Sequence, residues 1–440
     1  MKFQTLEDAI SYLDRFQFHG FRLGLERIEE VLKALGNPQN SFPSIHVAGT
    51  NGKGSVCAAL SSILQQSGYR VGFYSSPHLV KLNERFRIGM IPIDDPLLKK
   101  LIEEVGSLVE KGFELSYFEF TTAMAFLCFA RCKVDLALIE TGLGGRLDAT
   151  NVISPLLSIV TNISLDHQSY LGHSLEEIAF EKAGIIKKDI PVVAGRLEKG
   201  PLQVISEKCH RKNARLYLLG RDFFIQRHEK TDTFDFSMNG FHLKNARFGM
   251  FGEFQIDNAA LAAASARLLT KKGMSIDQDN LRHGLDKTFW PGRSELLKGD
   301  TWVFIDGAHN EAGARALKNS ITQLTDRLPF TGKKTLLWAC SNEGKDKDPL
   351  AILQIVAPLF QKVIITEPQG PRRPVTVEEW KELAIPENAM LVKNYKEAID
   401  TIIAQCKKND LLVVAGSLYL VGPARHYLLG KDFELVHKNT

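Results

Sequence analysis

The chain has 440 residues, enough for two or three domains, and its 44% hydrophobic and 24% charged residues are typical of a soluble globular protein. Its 55 basic and 51 acidic residues give a net charge of only +4, so we expect no nucleic-acid partner, although a local basic site for an anionic substrate is compatible with this balance. The six cysteines form no C-x-x-C pair, and the longest apolar run is too short to span a bilayer. We therefore expect reduced thiols, no membrane contact and a cytoplasmic location.

The first half of the chain alternates short apolar strands with helical patterns. Strands are predicted at 44–50, 70–78, 134–142 and 155–167, and helices at 54–68, 118–131 and 174–187. The last of these helices opens with Ser174 and Glu177 in the spacing of a capping box. Because the strands read as nearly unbroken apolar runs between helices, they predict a mostly parallel α/β sheet with helices on both faces.

The second half of the chain changes pattern twice. Residues 215–256 read as short alternating β segments, which predict a small β subregion, and Pro291 and Gly292 later interrupt the pattern again. We place a domain boundary there. The predicted architecture is an N-terminal α/β domain over residues 1–292, followed by a smaller C-terminal Rossmann-like α/β domain over residues 293–440.

The stretch "HVAGTNGKGS" resembles a phosphate-binding loop between a strand and a helix. Gly49, Gly52 and Gly54 allow the backbone to approach phosphate oxygens, and Lys53 can neutralise their charge. The usual loop reads G-x-x-x-x-G-K-[ST], but here Gly54 occupies the hydroxyl position and Ser55 comes one residue late. A glycine-rich turn without phosphate is the alternative, and the strand–loop–helix order favours phosphate binding.

The missing hydroxyl raises the question of which side chains hold magnesium. Glu140 ends a buried strand, and Ser76 in "YSSPH" and His167 in "SLDHQ" lie just past strands. Ligands bind at the carboxyl ends of strands in such sheets, so these oxygen and nitrogen donors converge on one edge. Taken singly, a serine before proline is usually a turn residue and a lone histidine more often packs than ligates.

Three further motifs are ambiguous from their residue types alone. Arg146 and Asp148 in "ETGLGGRLDATN" offer an anion partner and a hydrogen-bond acceptor, but the run also fits a flexible loop. Lys182 in the middle of a helical pattern reads as a solvated surface lysine. Asp306 and His309 in "FIDGAHNEAGARAL" follow a strand and fit either a ligand site or a structural turn.

Taken together, the motifs resemble the bacterial folylpolyglutamate synthase/dihydrofolate synthase family, a branch of the Mur ligase superfamily. The resemblance covers nearly the whole chain. The motifs that carry it, in family order, are "LGLERIEEVLKALGNPQNSFPSIHVAGTNGKGS", "YSSPHL", "ETGLGGRLDATN", "SLDHQSYLG", "EKAGIIK", "FWPGR", "DGAHN" and "AGSLYLVG". The resemblance implies that the N-terminal domain, residues 1–292, is a P-loop-type ATPase domain that binds ATP and the pterin substrate.

This resemblance implies an ATP-dependent acid–amino-acid ligase with ATP as cosubstrate and Mg²⁺ as cofactor. ATP phosphorylates the carboxyl group of the pterin substrate, and the amine of L-glutamate then attacks the acyl phosphate. Phosphoryl transfer depends mostly on positioning and charge neutralisation, which Lys53 and magnesium can supply. The "GGRLDATN" form resembles bifunctional enzymes, which use both dihydropteroate and tetrahydrofolate.

The family's functional positions map onto this sequence as follows. The implied catalytic residues are Lys53, Lys182 and His167. The implied ATP contacts are Asn51, Gly52, Lys53, Gly54, Ser55, Asn258, Arg293, Asp306 and His309. The implied magnesium ligands are Ser76, Glu140, His167 and Lys182, the last as a carbamylated lysine, which reverses the surface interpretation. The implied substrate contacts are Phe118, Glu119, Leu147, Asp148 and Ala149.

Three alternative functions remain at this point. A folylpolyglutamate synthase that only lengthens the glutamate tail differs from a bifunctional enzyme by few residues. A muramyl-type cell-wall ligase shares the chemistry, but the short stretch before the glycine-rich loop leaves little room for its nucleotide-sugar domain. A nucleotide-dependent switch would bind ATP without glutamate-dependent phosphate release. We expect a monomer.

Overall fold

The computed structural model describes residues 2–19, 24–228, 231–327, 332–342 and 347–436. The α-helices of this part of the chain are α1 Leu6–Asp14, α2 Glu26–Ala34, α3 Lys53–Gln66, α4 Asp95–Val109, α5 Tyr117–Arg131, α6 Gln168–Leu171, α7 Leu175–Lys182, α8 Lys199–Arg211, α9 Glu253–Lys271, α10 Gln278–Asp286, α11 Glu311–Arg327, α12 Pro349–Val356, α13 Val377–Lys381, α14 Tyr395–Gln405 and α15 Leu418–Leu429. None of these helices is long and apolar enough to cross a membrane.

The strands belong to three sheets. In chain order they are β1 Ser44–Ala48, β2 Val71–Tyr74, β3 Phe86–Ile88, β4 Ile91–Pro92, β5 Leu136–Glu140, β6 Leu157–Val160, β7 Val192–Ala194, β8 Leu216–Leu218, β9 Phe223–His228, β10 Thr233–Met238, β11 Phe241–Ala246, β12 Glu295–Lys298, β13 Trp302–Ile305, β14 Lys334–Trp338, β15 Lys362–Ile365, β16 Ala389–Leu391, β17 Leu411–Ala415 and β18 Glu434–Leu435.

The chain forms two compact units that are not continuous in sequence. The first comprises Met1–Ile163, Ser174–Arg247 and Asp257–Lys287, and the second comprises Ser164–His173, Phe248–Ile256 and Thr288–Thr440. Two short segments that precede residue 292 thus belong to the second unit by their contacts. The division into functional domains at residues 292 and 293 stays a prediction.

The first unit contains an eight-stranded sheet in the order β4-β3-β2-β5-β1-β6-β7-β8. Strands β2, β5, β1, β6, β7 and β8 run parallel, and β3 and β4 add an antiparallel edge. The central strands β1 and β5 are buried along their whole length, as their unbroken apolar sequences require. The predicted mostly parallel α/β sheet is confirmed.

Helices cover both faces of this sheet at β5. Ala137 and Ile139 join one hydrophobic core with residues of α1, α2, α4 and α5. Leu136 and Leu138 point to the opposite face because side chains alternate along a strand, and they are equally inaccessible to solvent. Helix α3 contacts β5 as well.

The predicted β subregion is narrower than residues 215–256. Strand β8 pairs with β7 and therefore belongs to the large sheet, while β9, β10 and β11 form a separate three-stranded antiparallel sheet. The last residues of the predicted subregion already begin α9.

The second unit contains a seven-stranded sheet in the order β16-β15-β14-β17-β13-β12-β18. Strands β13 to β17 pair in parallel, whereas β12 and β18 are antiparallel to their neighbours. Its core contains the buried indoles of Trp338 and Trp380. The C-terminal α/β fold predicted from the sequence is present in this unit.

Candidate active site

The glycine-rich loop leaves the central strand β1 and enters α3. Gly49 has a φ of 154°, and a Cβ at this position would lie 1.8 Å from Oγ1 of Thr161, so the loop requires glycine here. The hydroxyl of Thr161 donates to the backbone oxygen of Asn51 over 2.6 Å, and the N–H of Asn51 donates to Oδ1 of Asn162 over 2.9 Å. Residues that follow β6 therefore fix the loop that follows β1.

Lys53 begins α3, and its amino group folds back over the loop. Nζ donates to the backbone oxygens of Gly49 at 3.1 Å and Thr50 at 3.3 Å. Gly52 caps the helix in the left-handed region with a φ of 83°. The N-terminus of this 14-residue helix, which also carries Gly54 and Ser55, offers free N–H groups and a positive dipole end to an anion. The strand–loop–helix geometry predicted for a phosphate site is present.

Asn258 in α9 lies against the same loop. A Cβ added to Gly52 would lie 2.5 Å from Oδ1 of Asn258, so the amide packs directly on the loop backbone. Asn258 is buried. The structure thus brings together two of the predicted ATP contacts that are more than 200 positions apart in sequence.

Lys182 also reaches this loop, and its position differs from the interpretation of its local sequence. Helix α7 ends at Lys182 instead of continuing through it, and a short 3₁₀ turn, Ala183–Ile185, follows. The side chain is only 4% exposed, and Nζ donates to the backbone oxygen of Gly49 over 3.0 Å. The solvated surface lysine suggested by its spacing is therefore wrong, whereas the functional position implied by the family resemblance is compatible with this burial.

Glu140 ends β5 beside the loop. Val47 in β1 pairs with Glu140, and the carboxylate is buried. Burial raises the pKa of the Cys57 thiol in α3 well above its usual value, the charge of Glu140 raises it further, and the charge of Lys53 lowers it. The charges of Glu140 and Lys53 thus both affect the thiol of Cys57 in α3.

Ser76 leaves the sheet at the same edge as Glu140. Tyr74, the last residue of β2, pairs with Ile139, so Ser76 follows β2 where its parallel neighbour β5 reaches Glu140. Hydroxyl and carboxylate oxygens are the hard ligands that Mg²⁺ prefers, and Mg²⁺ commonly takes only one or two protein ligands beside phosphate and water. The donors present at this edge fit magnesium. In the described part of the chain, no three His, Cys, Asp or Glu side chains form a metal cluster by themselves.

Asp166 and His167 belong to the second unit, whereas Ser76 and Glu140 belong to the first. Strand β6 already ends at Val160, so these two residues do not directly follow a strand as the sequence suggested. His167 has a φ of 52° and precedes α6. Burial lowers the pKa of His167 to about 3, so its imidazole is neutral, as a metal ligand must be.

Asp166 is the centre of a polar network that the sequence did not reveal. Its carboxylate accepts a hydrogen bond from Nδ2 of Asn310 at 2.9 Å and pairs with Nζ of Lys347 at 3.1 Å. Nε2 of His309 lies 3.6 Å from the same group. Burial acts to raise the pKa of Asp166, but the neighbouring imidazole of His309 and the charge of Lys347 outweigh it and hold the pKa well below its usual value.

Asp306 holds the turn that follows β13. Its carboxylate accepts from the N–H of Ser294 at 2.8 Å and from the N–H of Ala308 at 2.9 Å, and burial raises its pKa although the charge of Arg293 opposes this. The Nδ1–H of His309 donates to the backbone oxygen of Gly307 over 2.8 Å. These contacts build the "DGAHN" turn within the second unit, and the ATP contacts of Asp306, His309 and Arg293 stay predictions.

The "GGRLDATN" turn surrounds a buried carboxylate. Oδ2 of Asp148 accepts from the N–H of Leu143 at 2.8 Å and Oδ1 accepts from the N–H of Thr150 at 3.0 Å. Burial raises the pKa of Asp148, and these hydrogen bonds act against that shift. Leu147 is half-buried and Ala149 is buried beside it.

Phe118 and Glu119 lie in the first turn of α5, near this turn. Phe118 stacks on Tyr74 with ring centroids 6.0 Å apart, and a Cβ at Gly142 would touch its ring. Glu119 is buried, completes the capping box of α5 with Ser116 and pairs with Arg27 at 2.9 Å. Arg27 was missed in the sequence because no local pattern connects it to Glu119, 92 positions away.

Known proteins are similar to this chain over nearly its whole length. The Mur ligase middle domain matches residues 47–266, and the Mur ligase glutamate ligase domain matches residues 292–418. The dihydrofolate synthase/folylpolyglutamate synthase of Bacillus subtilis is 34% identical over 436 residues, which cover 97% of this chain and all of that protein. The folylpolyglutamate synthase of Lacticaseibacillus casei is also 34% identical, over 96% of this chain and 98% of that protein. The solved structure of E. coli FolC in complex with DHPP and ADP superposes with a TM-score of 0.86 at 30% identity, over 97% of this chain and 98% of that chain.

The fold and the two matching domains define an ATP-dependent ligase of the Mur type. Within that class, the chain belongs to the dihydrofolate synthase/folylpolyglutamate synthase family. The resemblance seen in the sequence motifs is confirmed.

Proposed function

We propose that the protein adds L-glutamate to dihydropteroate, forming dihydrofolate, and to the γ-carboxyl group of reduced folates, in both cases through an acyl phosphate. The observation that carries this proposal is the contact of buried Lys182 with Gly49. It brings the end of α7 onto the glycine-rich loop, at the edge of the sheet where Glu140 ends β5. The proposed phosphate-binding loop and the proposed metal ligand Glu140 thus lie in one unit of the fold, which supports the proposal.

ATP binds to the loop between β1 and α3 in this proposal. The backbone N–H groups of residues 52–55 and the amino group of Lys53 would face the phosphates, and the dipole of α3 adds to their attraction. Asn258 packs on the loop and is suited to the adenine or an adjacent part of the nucleotide. The ATP contacts of Arg293, Asp306 and His309 are proposed from the family resemblance.

Ser76 and Glu140 would hold Mg²⁺, with carbamylated Lys182 as a further anionic oxygen ligand and His167 as the ligand that the family resemblance adds. Bound magnesium neutralises charge on the phosphates during phosphoryl transfer. A carbamate on Lys182 replaces a buried ammonium by a carboxylate-like group, which suits an acidic metal site better than the unmodified lysine.

Dihydropteroate would lie beside the "GGRLDATN" turn, at the positions that match the family's dihydropteroate pocket. Asp148 can accept hydrogen bonds from ring N–H groups, and Phe118 offers an aromatic face for stacking. Leu147 and Ala149 supply apolar contact. Glu119 already binds Arg27 and Ser116, so its contribution would be to place the start of α5 and with it Phe118.

L-Glutamate-dependent phosphate release tests the proposal. The purified protein is assayed with ATP and Mg²⁺, with and without glutamate, using dihydropteroate or tetrahydrofolate as the acceptor. Release with both acceptors is the expected result. Release with tetrahydrofolate alone would indicate a folylpolyglutamate synthase and remove the proposed role of Asp148. Release with neither acceptor would contradict the proposal and return the cell-wall ligase and the switch to consideration.

We further propose that the enzyme works as a cytoplasmic monomer on small-molecule substrates, without nucleic acid or membrane. Both units carry their own hydrophobic core. Light scattering of the purified protein with and without ATP and acceptor tests the monomer.

A further inference from the structure

A buried histidine in the central strand β1 contacts the "GGRLDATN" turn. His46 is in the middle of β1, which pairs with β5 on one side and β6 on the other, so its backbone is fixed in the centre of the large sheet. The side chain has no solvent exposure. Its Nε2 lies 2.8 Å from the hydroxyl oxygen of Thr150.

The direction of the hydrogen bonds between His46, Thr150 and Asp148 follows from the carboxylate of Asp148, which can only accept. The hydroxyl of Thr150 donates to Oδ1 of Asp148, and the same carboxylate accepts N–H groups from Thr150 and Leu143. A hydroxyl has only one proton to donate. Because Thr150 uses that proton for Asp148, its oxygen must accept from His46, which is therefore the neutral tautomer with the proton on Nε2.

The other ring nitrogen of His46 supports a specific role for this donor. Nδ1 is buried and has no hydrogen-bond partner among the described residues. A buried acceptor without a partner destabilises a fold, and an apolar side chain at this position would avoid that cost. The one hydrogen bond that the imidazole of His46 makes among the described residues is therefore the one that its Nε2–H donates to Thr150. The pKa of His46 is lowered to about 3, first by burial and second by the charge of Lys187, which keeps the ring neutral.

The same turn is tethered at its other end. Nζ of Lys187 donates to the backbone oxygen of Asn151 at 2.8 Å, and Nδ2 of Asn151 donates to the backbone oxygen of Arg146 at 3.0 Å. Backbone contacts therefore fix the path of the turn, while the hydroxyl of Thr150 is the side-chain donor that connects the carboxylate of Asp148 to the central strand. A site held from a rigid strand through a second layer of hydrogen bonds keeps its geometry more closely than a free loop.

We propose that His46 and Thr150 are positioning residues for the pterin acceptor: the relay from Nε2–H of His46 through the hydroxyl of Thr150 fixes the orientation of the Asp148 carboxylate. This inference rests on the proposed function, in which Asp148 contacts the pterin. It assigns a specificity-supporting role to a strand residue that precedes the phosphate loop by only three positions and does not belong to it.

Two pairs of substitutions separate the relay from general packing. Thr150→Val keeps the branched shape and removes the hydroxyl, whereas Thr150→Ser keeps the hydroxyl. His46→Gln keeps an N–H donor near the position of Nε2, whereas His46→Leu removes it. We expect Thr150→Val and His46→Leu to weaken dihydropteroate binding about tenfold, as the loss of one hydrogen bond in such a network implies. Thr150→Ser and His46→Gln should stay within about twofold of the wild type, and the KM for ATP should not change in any variant.

The measurement is equilibrium binding of dihydropteroate to the full-length protein, together with KM and kcat for both acceptors. Binding is measured directly, so it tests the relay even if the wild type shows no turnover. Turnover in the wild type with unchanged binding in Thr150→Val would overturn the relay and leave the ligase proposal intact. Weakened binding in Thr150→Val without turnover in the wild type would support the relay and contradict the ligase proposal. A wild type that does not bind dihydropteroate at all would overturn both.

A second readout does not depend on substrate. With ¹⁵N-labelled histidine and assignment of the His46 signal by its loss in His46→Gln, the ring should show a proton on Nε2 and an unprotonated Nδ1 at neutral pH. A proton on Nδ1 alone, or on both nitrogens, would contradict the direction of the relay.

Discussion

Lys182 donates a hydrogen bond from Nζ to the backbone oxygen of Gly49 over 3.0 Å, although the two residues are 133 positions apart. The contact joins the end of α7 to the loop that follows β1. A buried ammonium is costly unless it is paired or modified. A carbamylated Lys182 would keep one N–H that can donate to Gly49 and would gain an anionic oxygen pair. The contact is therefore compatible with both chemical forms of the lysine.

Lys182→Ala should abolish turnover. We expect glutamate-dependent phosphate release to fall by roughly a hundredfold or more, because the variant loses a charged group at the site of phosphoryl transfer. Addition of short carboxylic acids should restore part of the activity if the lost group is a carbamate. Lys188→Ala is the matched control, because Lys188 is exposed and lies only six positions after Lys182. A fully active Lys182→Ala protein would contradict the assignment.

The loop glycine Gly52 can be compared with a glycine of the same conformation elsewhere. Gly52 has a φ of 83° and Gly68 a φ of 85°, but a Cβ at Gly52 would meet Asn258 whereas one at Gly68 would meet nothing within 4 Å. Gly68→Ala should lose about 1–2 kcal/mol of unfolding free energy, since alanine is strained in the left-handed region, and Gly52→Ala should lose more because its Cβ must also displace Asn258. Only Gly52→Ala should also raise the KM for ATP. Urea unfolding and ATP titration measure the two effects, and equal ATP affinity in both variants would refute the role of the loop.

Glu140→Gln should remove most of the turnover and raise the magnesium concentration that the remaining turnover requires. The substitution keeps the shape of a buried side chain at the end of β5 and removes the charge that a hard cation requires. Phosphate release over a range of magnesium concentrations measures the effect, and the exposed Glu387→Gln is the isosteric control. A normal magnesium response in Glu140→Gln would show that the cation is held elsewhere.

The elements around the site were predictable where their signals are local. The apolar runs predicted β1 and β5 as buried parallel strands, and the spacing of Ser174 and Glu177 predicted a capping box that α7 has. The burial of Lys182 was not predictable from its own helix, because it depends on a contact with Gly49 across 133 positions. Only the family resemblance indicated its importance.

The network of Asp166 was missed for the same physical reason. Its hydrogen bond with Asn310 connects residues 144 positions apart, and the sequence pairs Asp166 with no cation or donor nearby. The position of His167 was predicted wrongly relative to β6 because the apolar run "PLLSIVTNISL" continues beyond the last paired residue, Val160. Hydrophobicity alone does not mark where a strand leaves its sheet.

Asp148→Asn should distinguish the two acceptors. The carboxylate accepts N–H groups at both oxygens, from Leu143 and Thr150, so an amide turns its NH₂ group toward one of these donors and destabilises the turn. The kcat/KM for dihydropteroate should fall by about tenfold or more, and the reaction with tetrahydrofolate in the same variant is the control. An equal fall for both acceptors, in step with loss of folded protein, would reduce Asp148 to a structural residue.

His46 should make the protein less stable in acid. Its pKa is lowered from 6.5 to about 3 by burial and, to a smaller extent, by the charge of Lys187. The hydroxyl oxygen of Thr150 accepts the hydrogen bond from its Nε2–H. Between pH 6.5 and about 3 the unfolded chain binds a proton at this histidine and the folded chain does not, so the free energy of unfolding decreases as the pH falls through that window. The contribution is up to about 1.4 kcal/mol per pH unit. His46→Gln has no group that titrates there, so its unfolding free energy, measured with urea at several pH values between 7 and 4, should fall less steeply than that of the wild type. Parallel pH profiles for the two proteins would mean that the imidazole of His46 is protonated in the folded state as readily as in the unfolded chain.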